Sequence, residues 1–269
     1  MLSYIKDSFQ LTNKYIILAT PLILFSLLSS LYILFSVGGN LLSLLIALIL
    51  FGLMVGAFLS GWFFMIKTCV SSPEQEDPNG LLKEFPAGVG EYFLPVLGLM
   101  INTMVISVLL ILVSYFIGMK LIGEVGITPE ALTKGMESFS AMKAFLGGLT
   151  QEQMFKLNAW NMLLFFTMSV TYFLIMFYSP TLFLKEKNPF KAYFASLKDL
   201  FSKKFFTNFG LFLILFVSYF ILSIFTTLFG TNVVMHFVFT LINFYYLVFV
   251  AVMVYNYYYE FFIKLNTTV

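Results

Sequence analysis

Few side chains in this sequence could carry chemistry, and they form none of the common catalytic patterns. His236 is the only histidine and Cys69 the only cysteine in the chain. A histidine-based metal cluster and a Ser-His-Asp triad therefore cannot be built. The HExxH, CxxC, GxSxG and P-loop patterns are absent as well. We expect a chain that is not an enzyme and that binds no cofactor or metal.

Polar side chains are also scarce within the long apolar stretches of the sequence. No Asp, Glu or Lys lies in the middle of any of these stretches, which argues against ion-coupled transport and intramembrane aspartyl proteolysis. Asn102 and Asn243 remain there, and His236 lies near the end of a stretch. The asparagines either face a pathway or, more simply, form interhelical hydrogen bonds. We expect His236 to be an interface or helix-packing residue.

The charged residues that remain form amphipathic segments, and the clearest of these runs from Asn188. Asn188 suits an N-cap and Pro189 suits the first helical position. Phenylalanines and a leucine then recur every three or four residues on one helical face: Phe190, Phe194, Leu197, Phe201 and Phe205. The lysines of this segment are Lys191, Lys198, Lys203 and Lys204. Such a helix can lie in the headgroup layer, so we predict that these lysines contact anionic lipid headgroups.

The overall composition indicates that the bilayer is the solvent of this chain. Hydrophobic residues make up 60% of the sequence and charged residues 10%, against about 25% charged in soluble domains. Two charge-free stretches, 15–66 and 205–259, are each long enough for two spans of about 20 residues, and turn residues divide them at 36–40 and 229–232. We predict one all-α integral membrane domain over 1–269, with six transmembrane helices near 15–36, 41–66, 92–119, 159–184, 205–229 and 233–259.

The predicted spans form three hairpins, each preceded by a cytosolic amphipathic interfacial helix. Three similar triplets precede the hairpins: Ile5-Lys6-Asp7, Leu82-Lys83-Glu84 and Leu197-Lys198-Asp199. The triplet Leu184-Lys185-Glu186 matches as well but ends an apolar run, so the position before a hairpin carries the argument. The extracytoplasmic loop 120–156 should be helical, because Thr128-Pro129-Glu130 can start a helix and Thr150 to Gln153 forms a capping box. This loop is either a movable lid or a passive cover.

Two further patterns each allow two interpretations. Gly52 and Gly56 have the spacing that permits close helix contact in lipid, although glycine is also generally tolerated in membrane helices. Glu74, Glu76 and Asp77 could bind a cation or a basic partner, but a solvated turn is the simpler interpretation.

Several aromatic residues are expected at the membrane interface. Trp62 lies near the predicted cytosolic end of a span, and a tyrosine cluster, Tyr255 and 257–259, ends the last one. Tyrosine and tryptophan favour the headgroup level because one part of each side chain is apolar and the other polar.

The distribution of lysine predicts the orientation. With the N-terminus in the cytosol, the outer side holds only the lysines of the 120–156 loop, and the other lysines lie inside. The opposite orientation would violate the positive-inside rule. Both termini are therefore predicted to be cytoplasmic. The net charge of +2 gives no support for nucleic acid as a partner.

This plan resembles a loosely defined set of six-span bacterial membrane proteins without an assigned function. It is similar to the membrane domain fused to some bacterial glycerophosphoryl diester phosphodiesterases. The resemblance rests on the hairpins, on KEKNPFKAYFASLKDLFSKKF at 185–205, and on the tyrosine-rich last span. It implies the bacterial cytoplasmic membrane and an association with lipid metabolism. The phosphodiesterase domain is absent from this sequence, so that activity is not implied.

Two classes of function agree with these patterns. The first is a non-catalytic membrane protein in an accessory or membrane-homeostasis role, which acts through lipid or through contacts with a membrane-protein partner or a second copy of itself. The second is a facilitator or transporter subunit for a small apolar or amphipathic solute, held between the hairpins beneath the 120–156 loop. The absence of charge within the spans favours the first class.

The predicted orientation can be tested with reporter fusions. Alkaline phosphatase fused at residue 140 should be active and a fluorescent protein fused at the C-terminus should fluoresce, because the two sites are predicted on opposite sides. The exchanged fusions provide the control. A cytosolic residue 140 would refute the predicted topology.

Overall fold

The computed structural model describes residues 2–36, 41–72, 80–229 and 232–264. Three sequence predictions fall on residues outside these ranges. They are most of the break at 36–40, the acidic residues at 74–77, and the middle of the break at 229–232. Within the described ranges the secondary structure is helical and contains no strand.

Eleven α-helices follow one another along the described chain, with a short 3₁₀ turn at Ile16–Leu18 and a π-helical turn at Tyr259–Lys264. The α-helices are α1 Leu2–Lys14, α2 Ala19–Ser36, α3 Leu41–Ser71, α4 Leu81–Leu121, α5 Pro129–Met136, α6 Phe139–Gly147, α7 Gln151–Ile175, α8 Tyr178–Leu184, α9 Pro189–Leu200, α10 Phe205–Phe229 and α11 Val233–Tyr258.

Among the described residues, six helical stretches are long and apolar enough to cross a membrane, which confirms an all-α fold suited to a multi-pass membrane protein. They are Ile16–Leu34, Leu42–Ser71, Leu81–Leu121, Gln151–Leu184, Phe205–Phe229 and Val233–Lys264. Helix α4 has 41 residues and is therefore about 60 Å long at 1.5 Å per residue. Because the hydrocarbon layer is about 30 Å thick, this helix is longer than a single crossing requires.

The chain divides into two compact parts, and the larger comprises Met1–Asn102 with Leu174–Val269. Its buried core lies where the 3₁₀ turn at Ile16–Leu18, the C-terminal ends of α3 and α11, and α8 meet, with Leu18, Ile66, Phe183 and Tyr255 almost fully buried. Most apolar side chains at the other ends of α2 and α3 are exposed. In a membrane protein such surfaces contact lipid, which is as apolar as the side chains.

Helices α2 and α3 run in opposite directions along each other. The Trp62 indole Nε1 donates to the Leu18 carbonyl at 2.9 Å, and the Tyr32 hydroxyl donates to the Ala47 carbonyl at 2.7 Å. Residues nearer the C-terminus of α2 therefore contact residues nearer the N-terminus of α3.

Helices α10 and α11 show the same antiparallel relation. The Tyr257 hydroxyl donates to Asn208 Oδ1 at 2.8 Å, and the Phe229 and Phe239 rings stack with centroids 6.0 Å apart. These two contacts lie at opposite ends of the pair.

The second compact part is Thr103–Phe173. Within it, the hydroxyls of Ser114 on α4 and Thr167 on α7 share a buried hydrogen bond of 2.5 Å. The Trp160 indole donates to the Gly123 carbonyl at 3.0 Å. Helices α4 and α7 are therefore antiparallel in this part.

Small residues allow α3 and α4 to approach closely in the larger part. A Cβ on Gly56 would lie 2.8 Å from a Leu97 methyl group, whereas Gly52 has open space around it. A Cβ on Gly88 of α4 would lie 2.9 Å from the Ser60 carbonyl oxygen. The glycine spacing on α3 therefore coincides with a close contact between α3 and α4. Gly56 and Gly88 form this contact, and Gly52 does not.

Several helix starts agree with the sequence prediction. Asn188 Oδ1 accepts from the backbone N–H of Phe190 at 3.0 Å and of Lys191 at 3.2 Å. Gln153 N–H donates to Thr150 Oγ1 at 3.2 Å, while Thr150 N–H donates to Gln153 Oε1 at 3.0 Å. These bonds satisfy backbone donors that have no partner within the helix.

Several predicted boundaries differ from the structure: α3 ends at Ser71 instead of 66, α4 begins at Leu81 instead of 92, and α7 begins at Gln151, within the predicted loop 120–156. The segment containing Lys83 and Glu84 is the first turn of α4, so no separate helix precedes this span in the described chain. The predicted span 159–184 is interrupted between Ile175 and Tyr178. Pro180 explains the interruption, because it has no N–H and its ring collides with the carbonyl four residues earlier.

The aromatic residues expected at the membrane interface are instead part of the core. Trp62 is 6% exposed, and Tyr255, Tyr257 and Tyr258 are at most 3% exposed. Their polar atoms bond within the protein, for example Tyr255 Oη with Ser179 Oγ at 2.5 Å. The expectation of an interface anchor is wrong for these four residues, because tertiary partners satisfy their polar groups.

The close approach of α4 to α3 gives a stability prediction. Gly88→Leu should lower the free energy of unfolding by about 1–3 kcal/mol, the usual cost of overpacking, because the new side chain meets backbone. Gly90→Leu is the matched control, since Gly90 is exposed and has open space around it. Thermal unfolding in detergent would compare them, and equal melting temperatures would contradict the close contact.

Candidate functional site

Helix α9 packs through a face different from its aromatic one. Ala192, Ser196 and Leu200 are buried against the protein. Phe190 and Phe194, by contrast, are 64% and 68% exposed. Phe190, Phe194 and Phe201 of the apolar stripe are therefore exposed, whereas Leu197 and Phe205 are partly buried.

A network of hydrogen bonds at the end of α9 holds it in this orientation. Asn208 is fully buried, and its Nδ2 donates to the Leu200 carbonyl at 2.8 Å and the Asp199 carbonyl at 3.2 Å. Its Oδ1 accepts from the Tyr257 hydroxyl at 2.8 Å. The last carbonyls of α9 are thereby satisfied and joined to α11.

The Asp199 carboxylate forms the second part of this network. Its Oδ2 accepts from the Tyr258 hydroxyl at 2.6 Å and from Lys185 Nζ at 2.7 Å. The Asp199 side chain is only 13% exposed, so these bonds form where water screens them weakly. Together, Asn208 and Asp199 fix the rotation of α9 about its axis.

Three of the four predicted headgroup lysines are exposed. Lys191, Lys198 and Lys203 lie on the surface. Lys204 differs, because its Nζ donates to the Phe261 carbonyl at 3.1 Å and lies 4.3 Å from the centroid of the Phe261 ring. Burial lowers the pKa of Lys204. The Lys204 ammonium group therefore already forms a contact within the protein.

Asn102 joins α4 to the α8–α9 region. Its Nδ2 donates to the Tyr178 hydroxyl at 2.8 Å, and that hydroxyl donates to the Pro189 carbonyl at 3.0 Å. This geometry matches the interhelical hydrogen bond expected for Asn102.

The other two intramembrane candidates do not join Asn102. Asn243 Nδ2 donates to the Phe239 carbonyl of its own helix at 2.9 Å. His236 is exposed near the start of α11. In the described ranges no hydrogen bond links Asn102 to either residue, so the structure does not bring the three into one site.

Sequence reasoning missed Asn208 and the role of Asp199. Asn208 is the one amide side chain within α10, and its position among mostly apolar residues was the available signal. Its partner Tyr257 is 49 residues away, and that distance hides the contact from any local pattern.

No group of three or more His, Cys, Asp or Glu side chains that could hold a metal ion occurs in the described ranges. No family model, no curated protein and no solved structure matches the chain.

The buried asparagine gives a prediction with an internal control. Asn208→Leu should destabilise the protein by about 1–3 kcal/mol, because two carbonyls and the Tyr257 hydroxyl lose a buried partner. Asn243→Leu should have a small effect, since Asn243 bonds only within its own helix. Denaturation in detergent would measure both, and an equal loss in the two variants would contradict the network.

Proposed function

We propose that this chain is a non-catalytic, multi-pass protein of the bacterial cytoplasmic membrane that acts through lipid contacts. Helix α9 is the contacting element. The observation that carries the proposal is the exposure of its phenylalanines beside its exposed lysines, while the opposite face is packed. The role is accessory or homeostatic, with a membrane-protein partner or a second copy as the other possible contact.

The two exposed groups on α9 suit two depths of a membrane surface. At about 100° per residue, Phe190, Phe194 and Phe201 fall within about 40° of one another. Lys198 follows about 40° beyond Phe194 and Lys191 about 60° beyond it. The rings can therefore enter the acyl boundary while the lysines stay at headgroup level, the arrangement of interfacial amphipathic helices.

Burial of the phenylalanine rings and attraction of the lysines to anionic lipid would both stabilise such a membrane contact. Each fully buried phenylalanine side chain contributes about 1.5–3 kcal/mol, and each lysine near an anionic surface about 1 kcal/mol. Helix α9 is already fixed by Asn208 and Asp199, so it loses little conformational freedom on contacting lipid.

The proposal includes the arrangement of the spans. The pairs α2–α3, α4–α7 and α10–α11 insert as three hairpins, with α1 and α9 on the cytosolic side and both termini in the cytosol. The antiparallel contacts within each pair support this arrangement. The placement of lysine supports the orientation.

The resemblance to six-span bacterial membrane proteins supports a link to lipid metabolism. The 185–205 segment that carries it includes α9, the same element whose exposed face suits a lipid surface. The sequence pattern and the packing geometry thus favour one role.

An apolar groove favours a second candidate function, a facilitator for a small apolar or amphipathic solute. The groove has a volume of about 410 Å³ and lies among α2, α3 and the start of α4, with Leu24, Phe58 and Phe85 in its wall. This volume is within the usual range for small-molecule sites.

Charge removal on α9 and in the turn that follows it, which contains Lys203, tests the lipid-contact function; we call the variant the α9 triple variant. The triple variant Lys191→Gln, Lys198→Gln and Lys203→Gln should retain less anionic phospholipid than the wild type, because three cations that face the headgroups are lost. Native mass spectrometry of protein purified in mild detergent would count the retained lipids.

The control removes the same charge elsewhere, from the exposed residues Lys120, Lys134 and Lys143. It should leave retention unchanged. Lys204→Gln should have less effect than the same change at Lys191, Lys198 or Lys203, because Lys204 already donates within the protein. Equal retention by the α9 triple variant and the wild type would refute α9 as the contacting element.

A further inference from the structure

Three lysines line a cleft beside the end of α3. The cleft has a volume of about 350 Å³, and we call it the lysine cleft. Its lining is formed by Lys67, Ser71, Tyr92, residues 182–187, Tyr259 and Ile263. The lysines of the lining are Lys67, Lys185 and Lys187, and Glu186 is its one carboxylate.

Tyr92 is a buried, rigidly held residue in the wall of the lysine cleft. Its side chain is 1% exposed, and the Phe183 ring stacks on it with centroids 4.3 Å apart and planes at 14°. Lys67 Nζ donates to the Tyr92 hydroxyl at 3.0 Å. A rigid ring thus holds the Lys67 ammonium group in place.

Carboxylates hold the other two lysines. Lys187 pairs with Glu91 and lies 5.2 Å from the centroid of the Tyr92 ring. The hydrogen bond to Glu91 raises the pKa of Lys187, so this lysine stays charged at neutral pH. Lys185 pairs with Asp199 at 2.7 Å.

Lys67 differs from Lys185 and Lys187 because its ammonium group bonds to a tyrosine hydroxyl and not to a carboxylate. In the part of the chain that the structure describes, no carboxylate lies within 4.0 Å of its ammonium group. An ammonium group has three donors, and Tyr92 accepts one of them. A half-buried cation of this kind is stabilised when an anion supplies the remaining acceptors.

Glu186 does not compete strongly for this role. Its Oε1 accepts from the Asn188 backbone N–H at 3.1 Å, just before α9 begins. That bond directs the carboxylate toward the helix start, where negative charge is favourable.

We propose that the lysine cleft binds a phosphate group, with Lys67 as the principal contact and Lys187 beside it. Phosphate presents several acceptor oxygens to point charges such as lysine ammonium groups. The cleft also has room for the glycerol unit of a phospholipid headgroup. This inference rests on the proposed lipid-contact function and names the headgroup chemistry. In the proposed orientation, the end of α3 lies at the cytosolic headgroup layer.

Binding to delipidated full-length protein in detergent tests the proposal. The probes are phosphatidylglycerol, diacylglycerol with the same acyl chains, and inorganic phosphate, and the readouts are bound mass and melting temperature. We expect one tightly held phosphatidylglycerol and binding of diacylglycerol at least tenfold weaker. Displacement of the lipid by millimolar phosphate would support free phosphate as a ligand, and retention would support the lipid. Equal binding of diacylglycerol would overturn the proposal.

Variants assign the binding to the cleft. Lys67→Gln should weaken phosphatidylglycerol binding at least tenfold, whereas Lys83→Gln, at an exposed lysine of α4, should not change it. Ser71→Phe should block the cleft while leaving every charge in place. If Lys67→Gln does not fold, Ser71→Phe decides the question. Wild-type affinity in the folded variants would overturn the proposal.

The outcome can be separated from that of the α9 experiment. Loss of the single tightly held lipid in Lys67→Gln, with retention unchanged in the α9 triple variant, would support the cleft and refute the α9 contact. Loss of lipid only in the α9 triple variant would refute the cleft and support α9.

Discussion

The orientation of α9 depends on two buried polar side chains, Asn208 and Asp199. Asn208 satisfies the last carbonyls of α9 and accepts from Tyr257, while Asp199 accepts from Tyr258 and Lys185. Hydrogen bonds in a poorly screened environment are strong, and leaving such groups unpaired is costly. One rotation of α9 satisfies all of them, and that rotation directs its phenylalanines away from the protein.

The same network connects the two places where lipid contact is proposed. Asp199 belongs to α9, and its partner Lys185 lines the lysine cleft. The aromatic face of α9 and the lysine cleft are therefore built on one connection, between α8 and α10. A headgroup in the cleft and acyl chains beside α9 would meet a part of the protein that is already ordered, which reduces the entropic cost of binding.

Local patterns predicted the elements of this fold well, for physical reasons. The Asn188 cap and the Thr150–Gln153 capping box are bonds between neighbouring residues, so their sequence signatures suffice. The boundaries of α10 and α11 match their predicted spans because apolar length sets them. Predictions about residues whose partners are distant in the sequence were less accurate. Trp62 and the last tyrosines were expected at the interface, but acceptors on other elements allow them to be buried.

The amino-acid sequence alone suffices to predict a multi-pass membrane protein, the number of helices long enough to cross a bilayer, and the places where lysines concentrate. These properties follow from composition and from short-range periodicity. Three features became evident from the tertiary structure alone. They are the packed face of α9, the contact of Lys204 with Phe261, and the approach of both Lys67 and Lys187 to Tyr92. Those outcomes depend on contacts between residues tens of positions apart, and the periodicity of a single helix carries no information about its partners.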